Sequence, residues 1–356
     1  MSFVICVLLV ISKRLHHSFS MDLSEGVQKV HTLPTPRIGG ISILLGIILA
    51  SFSSPKDLQQ WMQSLVLVGL PVFIFGFAED LTKQVHVTWR LFASLSSGIL
   101  AWWVTEYSLT RVDILGLDLM LQFTFVSVIF TCIAVSGVAN SINIIDGFNG
   151  LASFVSSFSL LGYALIAYQV GDHLLFSLCM VLSASVLGFI LVNWPLGKIF
   201  LGDGGALFLG FVIAWMAVLL VERNPTVSAF AGLLVCLHPV IEVIFSIYRR
   251  WIKKAKPWQP DRLHLHSLLH RRFVMQRFGK LPAMLSNSIT GLLVGMMTLF
   301  SAIIANLVCE SIVLSILAVV GMALVYLTIY IRLVRFHWSS PLNFFIVKIT
   351  NALVSK

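Results

Sequence analysis

Residues 58–78, LQQWMQSLVLVGLPVFIFGFA, form a run of 21 residues without a charged side chain. A helix needs about 20 mainly apolar residues to cross the hydrocarbon core of a bilayer. A charge near the bilayer centre costs several kcal/mol, so charged residues mark the ends of crossings. The run therefore predicts one membrane crossing, which ends at the carboxylates Glu79 and Asp80.

The composition of the whole chain extends this interpretation. Of its 356 residues, 58% are hydrophobic and 11% are charged, whereas roughly a quarter are charged in an ordinary soluble domain. This excludes a disordered chain and argues against a water-soluble globule. With about 30 residues for each crossing and its connection, the sequence predicts an all-α polytopic integral membrane protein with about 10–11 transmembrane helices. The predicted spans are 38–53, 65–78, 91–104, 123–139, 151–168, 174–193, 206–221, 227–246, 285–306 and 312–333, with 3–11 as a shortened first span.

Lysine and arginine are divided very unequally between the two sides of these spans. When the loops are assigned alternately, 21 of the 24 Lys and Arg residues fall on one side. Basic residues concentrate in cytoplasmic loops, so this side is predicted to face the cytoplasm. The net charge of +9 therefore reports membrane orientation, and nucleic acid is not needed to explain it. The predicted cytoplasmic loops are 12–37, 79–90, 140–150, 194–205 and 247–284.

The remaining organisation is simple. No internal repeat or low-complexity linker divides residues 1–335, which are predicted to form a single transmembrane domain. Residues 111–121 alternate like a small hairpin with its turn at Gly116, on the outer side. Residues 336–356 form a cytoplasmic tail that either frays or lies along the interface as an amphipathic helix. The five cysteines include no Cys-x-x-Cys pair, which disfavours disulfides and zinc ribbons.

Unusual polar residues gather on the predicted cytoplasmic side. The first group is PTPRIGG at 34–40, where the glycines allow close approach of a ligand and the guanidinium of Arg37 suits a phosphate. Alternatively, this segment is only the start of a helix, with Arg37 placed by the positive-inside rule.

The second group is Glu79, Asp80 and Lys83. Adjacent carboxylates beside an uncharged run are costly unless they are paired or metal-bound, and a Glu79–Lys83 salt bridge would leave Asp80 unexplained.

Two further groups lie at predicted helix ends. Asn143, Asp146 and Asn149 are spaced by three, which would align them on one face of a helical turn. An N-cap at Asn149 is the alternative, although it would not require three aligned polar residues. Asn193 and the glycine-framed Asp203 form the fourth group. Asp203 is either a simple N-cap or a carboxylate beside exposed backbone N–H groups, which suits a metal and a phosphate.

The fifth group is the long basic loop 249–280, which carries Arg262, His264 and His266. A solvated amphipathic helix and attraction to lipid headgroups are alternatives. A zinc site is less consistent with histidines two residues apart and no cysteine. We interpret the loop as recognising phosphate.

The five groups together predict a site that depends on Mg²⁺, or Mn²⁺ in its place, and that binds a diphosphate. Magnesium binds through one or two carboxylates together with substrate phosphates and water. A site at the membrane surface also implies that one substrate is a lipid, in addition to the surrounding membrane lipids.

The order and spacing of these groups resemble the polyprenyl-phosphate N-acetylhexosamine-1-phosphate transferase family, with its WecA-like and MraY-like branches. The resemblance covers roughly residues 29–272 and rests on five motifs in order. It implies transfer of a sugar-1-phosphate from a UDP-N-acetylhexosamine-type sugar nucleotide to undecaprenyl phosphate, with release of UMP. That reaction would begin a lipid-linked surface polysaccharide of the O-antigen or capsule type at a bacterial inner membrane. The sequence leaves the sugar and the oligomeric state open, a homodimer included.

The resemblance also implies a role for each matching residue. Asp203 is expected to be the principal Mg²⁺ ligand with Asp146 beside it. Asp80 is expected to act at the lipid phosphate as a general base or positioning residue, next to Glu79. Direct attack of the lipid phosphate is preferred to an enzyme-bound intermediate, because phosphoryl transfer needs mainly positioning and charge stabilisation. The expected substrate-binding residues are Arg37, Lys83, Asn143, Asn149, Asn193, Arg262, His264 and His266.

Three positions depart from the family pattern. Glu79 stands where Asp is usual, Asn149 replaces a frequent second Asp, and Ser267 replaces a His. These differences suggest a divergent sugar-nucleotide specificity within the WecA-like branch and argue against the peptidoglycan-precursor enzyme.

Two other classes of function stay open. A transporter or flippase for an anionic lipid or nucleotide would need ionisable residues near the bilayer midplane and symmetrically related broken helices. Glu242 is the only acid well inside a predicted span. A catalytically inactive scaffold of a polysaccharide assembly complex would also fit the departures.

Overall fold

A computed structural model describes residues 1–22, 34–252, 254 and 263–335. The tail 336–356 and Arg262, both named in the sequence predictions, lie outside these residues. Two short strands, β1 (Met21–Asp22) and β2 (Thr35–Pro36), pair antiparallel, and the rest of the described secondary structure is helical. The helices are α1 Ser2–Ile11, α2 Lys13–Ser20, α3 Gly40–Ser51, α4 Lys56–Thr82, α5 Val87–Thr105, α6 Leu115–Leu121, α7 Thr124–Ile145, α8 Leu151–Gln169, α9 His173–Asn193, α10 Gly202–Arg223, α11 Ala229–Val235, α12 Leu237–Ile252, α13 Leu265–Leu269, α14 Met275–Phe278, α15 Ala283–Val308 and α16 Ile312–Val334, with a π-helical turn at His270–Val274 between α13 and α14.

Seven of the described helices are long and apolar enough to cross a membrane, namely α4, α7, α8, α9, α10, α15 and α16. The pair α11 and α12 would make eight if it counts as one span. This confirms the predicted all-α polytopic class. The predicted number of crossings is higher because it includes α1 and α3, which have 10 and 12 residues, and α5, which is absent from the seven.

The predicted span 227–246 is not one straight helix. It is two helices, α11 and α12, which meet at Cys236 with a bend of 84°. Pro239 lies in the first turn of α12. Proline has no N–H to donate, and its ring clashes with the carbonyl four residues earlier, so an α-helix cannot continue straight through this point.

The predicted hairpin at 111–121 is also wrong. Residues Leu115–Leu121 form the helix α6, and the backbone N–H of Val112 donates to the Asp118 carboxylate at 2.7 Å. The side chain of Leu121 is buried. An alternating pattern over so few residues does not separate a strand from a helical turn, and an isolated hairpin is marginally stable.

Helix α10 forms the centre of the bundle and is buried along almost its whole length, packed by α3, α4, α7 and α8. Glycines allow this close packing. A Cβ atom at Gly76 of α4 would lie 2.7 Å from the Cα of Gly204, and a Cβ atom at Gly40 of α3 would meet Gly205. The backbones of α3 and α4 therefore touch the first turn of α10, where the predicted Asp203 lies.

A smaller apolar cluster joins α13 to the outer helices. Leu265 and Leu268 are buried against Tyr326, Tyr330 and Leu333 of α16. The apolar residues of this part of the basic loop thus pack against protein and are not solvated. This contact fixes the histidine segment at the same end of the bundle as the start of α10.

Candidate active site

Asp80, Asp203 and Arg37 meet at the first turn of α10. The Asp203 carboxylate accepts hydrogen bonds from the guanidinium groups of Arg37 and Arg90, one at each oxygen. The Nε of Arg37 also lies 3.2 Å from Oδ1 of Asp80. Three of the five predicted groups, those of Arg37, Asp80 and Asp203, are therefore joined.

Asp80 caps the N-terminus of α10. Its two oxygens accept the backbone N–H groups of Asp203 at 2.7 Å and Gly204 at 2.9 Å, and the residue is only 2% exposed. Carboxylates are favoured at the positive end of a helix. Gly202 is required beside it, because its φ is +81° and a Cβ atom would lie 2.5 Å from Oδ2 of Asp80. Asp80 thus ties the last turn of α4 to the first turn of α10.

Backbone hydrogen bonds place Arg37 beside these carboxylates. The N–H of Arg37 donates to the carbonyl of Ser20 at 2.8 Å. On either side of it, Phe200 N–H donates to the carbonyl of Pro36 at 2.8 Å, and Gly39 N–H donates to the carbonyl of Phe200 at 2.9 Å. The segment before α3 is therefore paired with the segment before α10.

Arg90 is a site residue that the sequence reasoning missed. It lies in the first turns of α5, and its side chain is 15% exposed. The signal was present, because Arg90 is the only charged residue in 84–105. The positive-inside interpretation accounted for it and concealed a specific role.

Asp146 follows the last residue of α7 and is partly exposed. Its side chain accepts no hydrogen bond from the residues that the structure describes. Burial raises the pKa of Asp146 to about 7, while the charge of Arg37 lowers it and the charge of Asp203 raises it. A bound cation would offset both the burial and the repulsion between the two carboxylates.

The predicted alignment of Asn143, Asp146 and Asn149 on one helical face is wrong, because α7 ends at Ile145 and the chain turns at Asp146. Asn143 stays on α7 and is partly exposed. Asn149 is 6% exposed. The backbone N–H of Asn149 donates to the side chain of Asn287 at 2.7 Å. Here Asn149 fastens the loop to α15, and Gly150, not Asn149, is the N-cap of α8.

Asn193 is also engaged with the protein backbone. Its Oδ1 accepts the N–H of Gly150 at 2.6 Å, and its Nδ2 donates to the carbonyl of Ile199 at 2.7 Å. The residue is 4% exposed. Asn193 therefore braces the loop before α8 and the loop before α10, both of which carry site residues.

Glu79 and Lys83 lie at the end of α4 and do not pair in the described structure. Oε2 of Glu79 accepts the backbone N–H of Val85 at 2.7 Å. Lys83 is exposed and adopts a left-handed conformation with φ of 55°. Glu79 thus shapes the turn that leads to Arg90.

His264 and His266 lie beside the loop that carries Asp146. Their rings stack with centroids 5.3 Å apart. The ring of His266 meets the edge of Phe148 at 5.6 Å, and Phe148 is two residues after Asp146. The fifth predicted group therefore lies next to the third.

The donors present suit a magnesium ion. Among the residues described, no three His, Cys, Asp or Glu side chains form a group that could hold a metal ion. Magnesium commonly takes one or two protein carboxylates, with substrate phosphates and water completing its shell. Asp146, whose carboxylate accepts no described hydrogen bond, and Asp203 would meet that need.

Comparison with known proteins shows which sequences this chain resembles. Residues 62–221 match the sequence model of the family described as Glycosyl transferase family 4. The matched residues are similar to that family and make up a little under half of the chain. They contain Asp80, Arg90, Asp146 and Asp203, whereas Arg37 and the histidines lie outside them.

Several curated proteins are similar over about two thirds of the chain. A probable undecaprenyl-phosphate N-acetylglucosaminyl 1-phosphate transferase of Bacillus subtilis is 28% identical over 246 residues, covering 68% of this chain and 67% of that protein. An undecaprenyl-phosphate alpha-N-acetylglucosaminyl 1-phosphate transferase of Yersinia pestis is 28% identical over 257 residues, covering 68% of each chain. A decaprenyl-phosphate N-acetylglucosaminephosphotransferase of Mycobacterium leprae is 27% identical over 286 residues, covering 69% of this chain and 70% of that protein.

Proposed function

We propose that this membrane protein transfers a sugar-1-phosphate from a UDP-N-acetylhexosamine to undecaprenyl phosphate and releases UMP. The observation that carries the proposal is the meeting of Arg37 and Arg90 on Asp203, beside Asp146, at one end of a membrane helix bundle. The printed names of the similar proteins, which specify polyprenyl-phosphate N-acetylglucosaminyl 1-phosphate transferases, support the same reaction.

The proposed reaction is a phosphoryl transfer between two phosphates. An oxygen of the lipid phosphate attacks the phosphorus that bears the sugar, and the bond from that phosphorus to the bridging oxygen breaks. UMP leaves with the electron pair, and the sugar-1-phosphate is joined to the lipid. We favour direct attack, because such a transfer needs mainly alignment and neutralisation of charge.

The two arginines fit the charge requirement of this reaction. Arg37 and Arg90 present planar guanidinium groups that bind carboxylates and phosphates alike. We infer that a diphosphate takes over part of their bonding from Asp203. Arg37 is 30% exposed at its side chain, so it can be reached from outside the protein. Lys83, Asn143, His264 and His266 are further substrate-binding candidates, and Arg262 remains a sequence-based one.

The acids divide into two roles. Asp80 has both oxygens on backbone N–H groups of α10, which supports a positioning role over that of a general base. Asp146 and Asp203 would hold Mg²⁺, which when bound would neutralise charge on the diphosphate. Asn149 and Asn193 would act by holding the loops of the site in place, and Glu79 by shaping the turn before α5.

The site is proposed to face the cytoplasm of a bacterial inner membrane, where a sugar nucleotide would be available. The division of basic residues supports this orientation. We further propose that residues 1–335 act as one catalytic domain and that the product begins a surface polysaccharide.

Release of UMP tests the proposal directly. Membranes containing the protein, with Mg²⁺ and undecaprenyl phosphate, are expected to release UMP from at least one member of a UDP-sugar panel that begins with UDP-N-acetylglucosamine. Omitting the lipid phosphate or adding EDTA is expected to stop the release. A folded preparation that releases no UMP across the panel would contradict the proposal and favour a scaffold or a transporter.

A further inference from the structure

Glu242 is a buried carboxylate in the membrane part of the chain whose role the sequence leaves unexplained. It lies on α12, just beyond the bend at Cys236, and is 1% exposed. Its Oε1 accepts Nδ1 of His264 at 2.8 Å and the backbone N–H of Leu265 at 2.9 Å. Its Oε2 accepts the hydroxyl of Tyr326 at 2.9 Å. The carboxylate thus joins α12, α13 and α16.

A charge in this position requires a counter-charge, because an unpaired buried carboxylate is very costly. Among the described groups that bond to Glu242, only His264 can be cationic. The guanidinium of Arg249 donates elsewhere, to the carbonyl of Leu263 at 2.9 Å and the hydroxyl of Tyr330 at 2.7 Å. His238, one turn earlier on α12, is buried, and neither of its ring nitrogens has a partner in the described structure. His264, when its ring is protonated, is therefore the group that can supply the counter-charge.

This pair connects directly to the candidate active site. The ring of His264 stacks on His266 with an interplanar angle of 8°. His266 packs on Phe148, in the loop that carries Asp146. Because Glu242 also accepts the N–H of Leu265, the first residue of α13, it fixes the backbone at the start of the histidine segment.

We propose that Glu242 is a positioning residue, whose ion pair with His264 holds the His264–His266 segment in place for binding the diphosphate of the sugar nucleotide. The inference rests on the proposed function and assigns a role to a residue outside the residues that match the family model. A transporter would need ionisable residues inside the membrane, and Glu242 is the only acid well inside a predicted span. The proposal explains Glu242 without a transport function.

The chemistry of the histidine supports this role. A carboxylate at Nδ1 favours the doubly protonated ring, in which Nε2 also carries a proton and can donate to an anion. Removing a carboxylate that orients a metal-ligating histidine typically costs about 10- to 100-fold in metal affinity or activity, and we take the same range for a histidine that binds a phosphate. The contribution of Glu242 should be of this size.

Charge-removing variants test the proposal in the full-length protein in detergent. Glu242→Gln keeps an acceptor for Leu265 and removes the charge. We expect it to lower kcat/KM for UMP release by about 10- to 100-fold and to weaken binding of UDP, measured by calorimetry. Glu242→Asp keeps the charge and should recover part of kcat/KM and part of the affinity for UDP. The matched control is Glu222→Gln, which removes a carboxylate on α10 that accepts hydrogen bonds from Thr110, and it should behave as wild type.

A double-variant comparison separates a role through His264 from a general role in folding. His264→Gln alone should lower the melting temperature, because it leaves the carboxylate without its counter-charge. Adding Glu242→Gln should restore the melting temperature and should weaken UDP binding no further. A double variant that is less stable than His264→Gln, or whose losses in UDP binding simply add, would overturn the proposal.

The two hypotheses fail in different ways. A wild-type protein that releases no UMP and binds no UDP would contradict the proposed function itself. A wild-type protein that is active, with Glu242→Gln equally active and equally tight for UDP, would overturn only the role of Glu242.

Discussion

At the scale of single residues, the site depends on how three carboxylates are used. Asp80 is occupied by the backbone of α10, Asp203 by two arginines, and Asp146 by none of the described residues. The three are the same residue type but have different hydrogen-bond partners. This difference supports the separate roles that we propose for them, because burial alone would raise the pKa of any carboxyl group.

Substitution of Arg90 tests the proposed site most directly at this scale. Its guanidinium shares Asp203 with Arg37, and we expect it to stabilise charge on the transferred phosphate. Arg90→Ala should lower kcat for UMP release by about 100-fold, the size seen when one charge-stabilising donor is removed from an active site. Arg90→Lys should recover only part, because an ammonium lacks the planar fork.

The matched control for Arg90 is Arg332→Ala, at an exposed residue in the last turn of α16. It removes the same charge away from the site and should leave kcat unchanged. Equal kcat values for Arg90→Ala and wild type would show that Arg90 serves only membrane orientation.

At the scale of helices, the site depends on how closely α3, α4 and α10 approach. The glycines of α10 meet the glycines of α3 and α4 where the backbones touch. This contact sets the distance between Asp80 at the end of α4 and Asp203 at the start of α10. At the opposite end of the bundle, polar clamps join other helix ends.

Gly76→Val should separate α4 from α10. A Cβ atom at Gly76 would lie 2.7 Å from backbone atoms of Asp203 and Gly204, and these atoms cannot move away without shifting a helix. We expect a loss of about 1–3 kcal/mol in the free energy of unfolding and a larger proportional loss of UMP release.

Thermal unfolding in detergent and UMP release would measure both effects of Gly76→Val. Gly137→Val is the control, because Gly137 is on α7 and a Cβ atom there would meet nothing within 4 Å. Equal stability of the two variants would mean that the α4–α10 contact does not constrain the site.

Asp172 forms a clamp at the end of the bundle away from the site. It caps α9 through the N–H of Leu175, and it accepts Nε and Nη2 of Arg223 at 2.7 and 2.9 Å. Burial would raise the pKa of Asp172, but the bonds from Arg223 and Leu175 outweigh it and hold the pKa below its usual value. The charged form of Asp172 is therefore stabilised in the folded protein relative to the unfolded chain.

Asp172→Asn should lower the free energy of unfolding by about 1–3 kcal/mol at neutral pH, as expected for hydrogen bonds to a charged group. The depressed pKa sets the sign of the pH dependence. The stabilisation is present above the pKa of Asp172 in the unfolded chain, about 4. It is lost as the pH falls through the pKa in the folded protein. The difference between wild type and Asp172→Asn should therefore shrink on acidification.

Thermal unfolding between neutral and strongly acidic pH would measure this clamp. Asp57→Asn, at an exposed acid in the first turn of α4, is the control and should show little difference at any pH. A constant gap between wild type and Asp172→Asn across the range would contradict an ionic contribution.

At the scale of the whole molecule, the helix directions alternate so that the ends bearing polar residues meet on one side. The ends of α4, α7 and α9 and the starts of α5 and α10 supply the site. The same side carries most of the basic residues. The orientation of the protein in the membrane therefore also predicts the side of the membrane to which the site is exposed.

Cysteine labelling in whole cells tests that orientation. All five native cysteines are buried, so an introduced cysteine at an exposed position should dominate the labelling. Glu310→Cys, in the turn between α15 and α16, should react with a membrane-impermeant maleimide. Gln84→Cys, in the turn between α4 and α5, should react only after the cells are opened. The reverse pattern would place the site on the outer face.

The sequence by itself determined the class of the protein and the identity of most candidate groups. Uncharged runs and the distribution of Lys and Arg are properties of one chain in a bilayer, because the cost of burying charge acts on each segment separately. For the same reason, the acids at the ends of such runs could be selected without knowing their neighbours.

The tertiary structure decided which group meets which. Only the packing of α3, α4, α5 and α10 reveals that Arg90 shares Asp203 with Arg37, and only the bend before α12 brings Glu242 to His264. Residues far apart in the chain form these pairs, and their pairing depends on backbone contacts at glycines and on the break at Cys236. The periodicity of one segment carries no information about its partner. The sequence could therefore name most of the site residues, but neither Arg90 nor the hydrogen bonds between them.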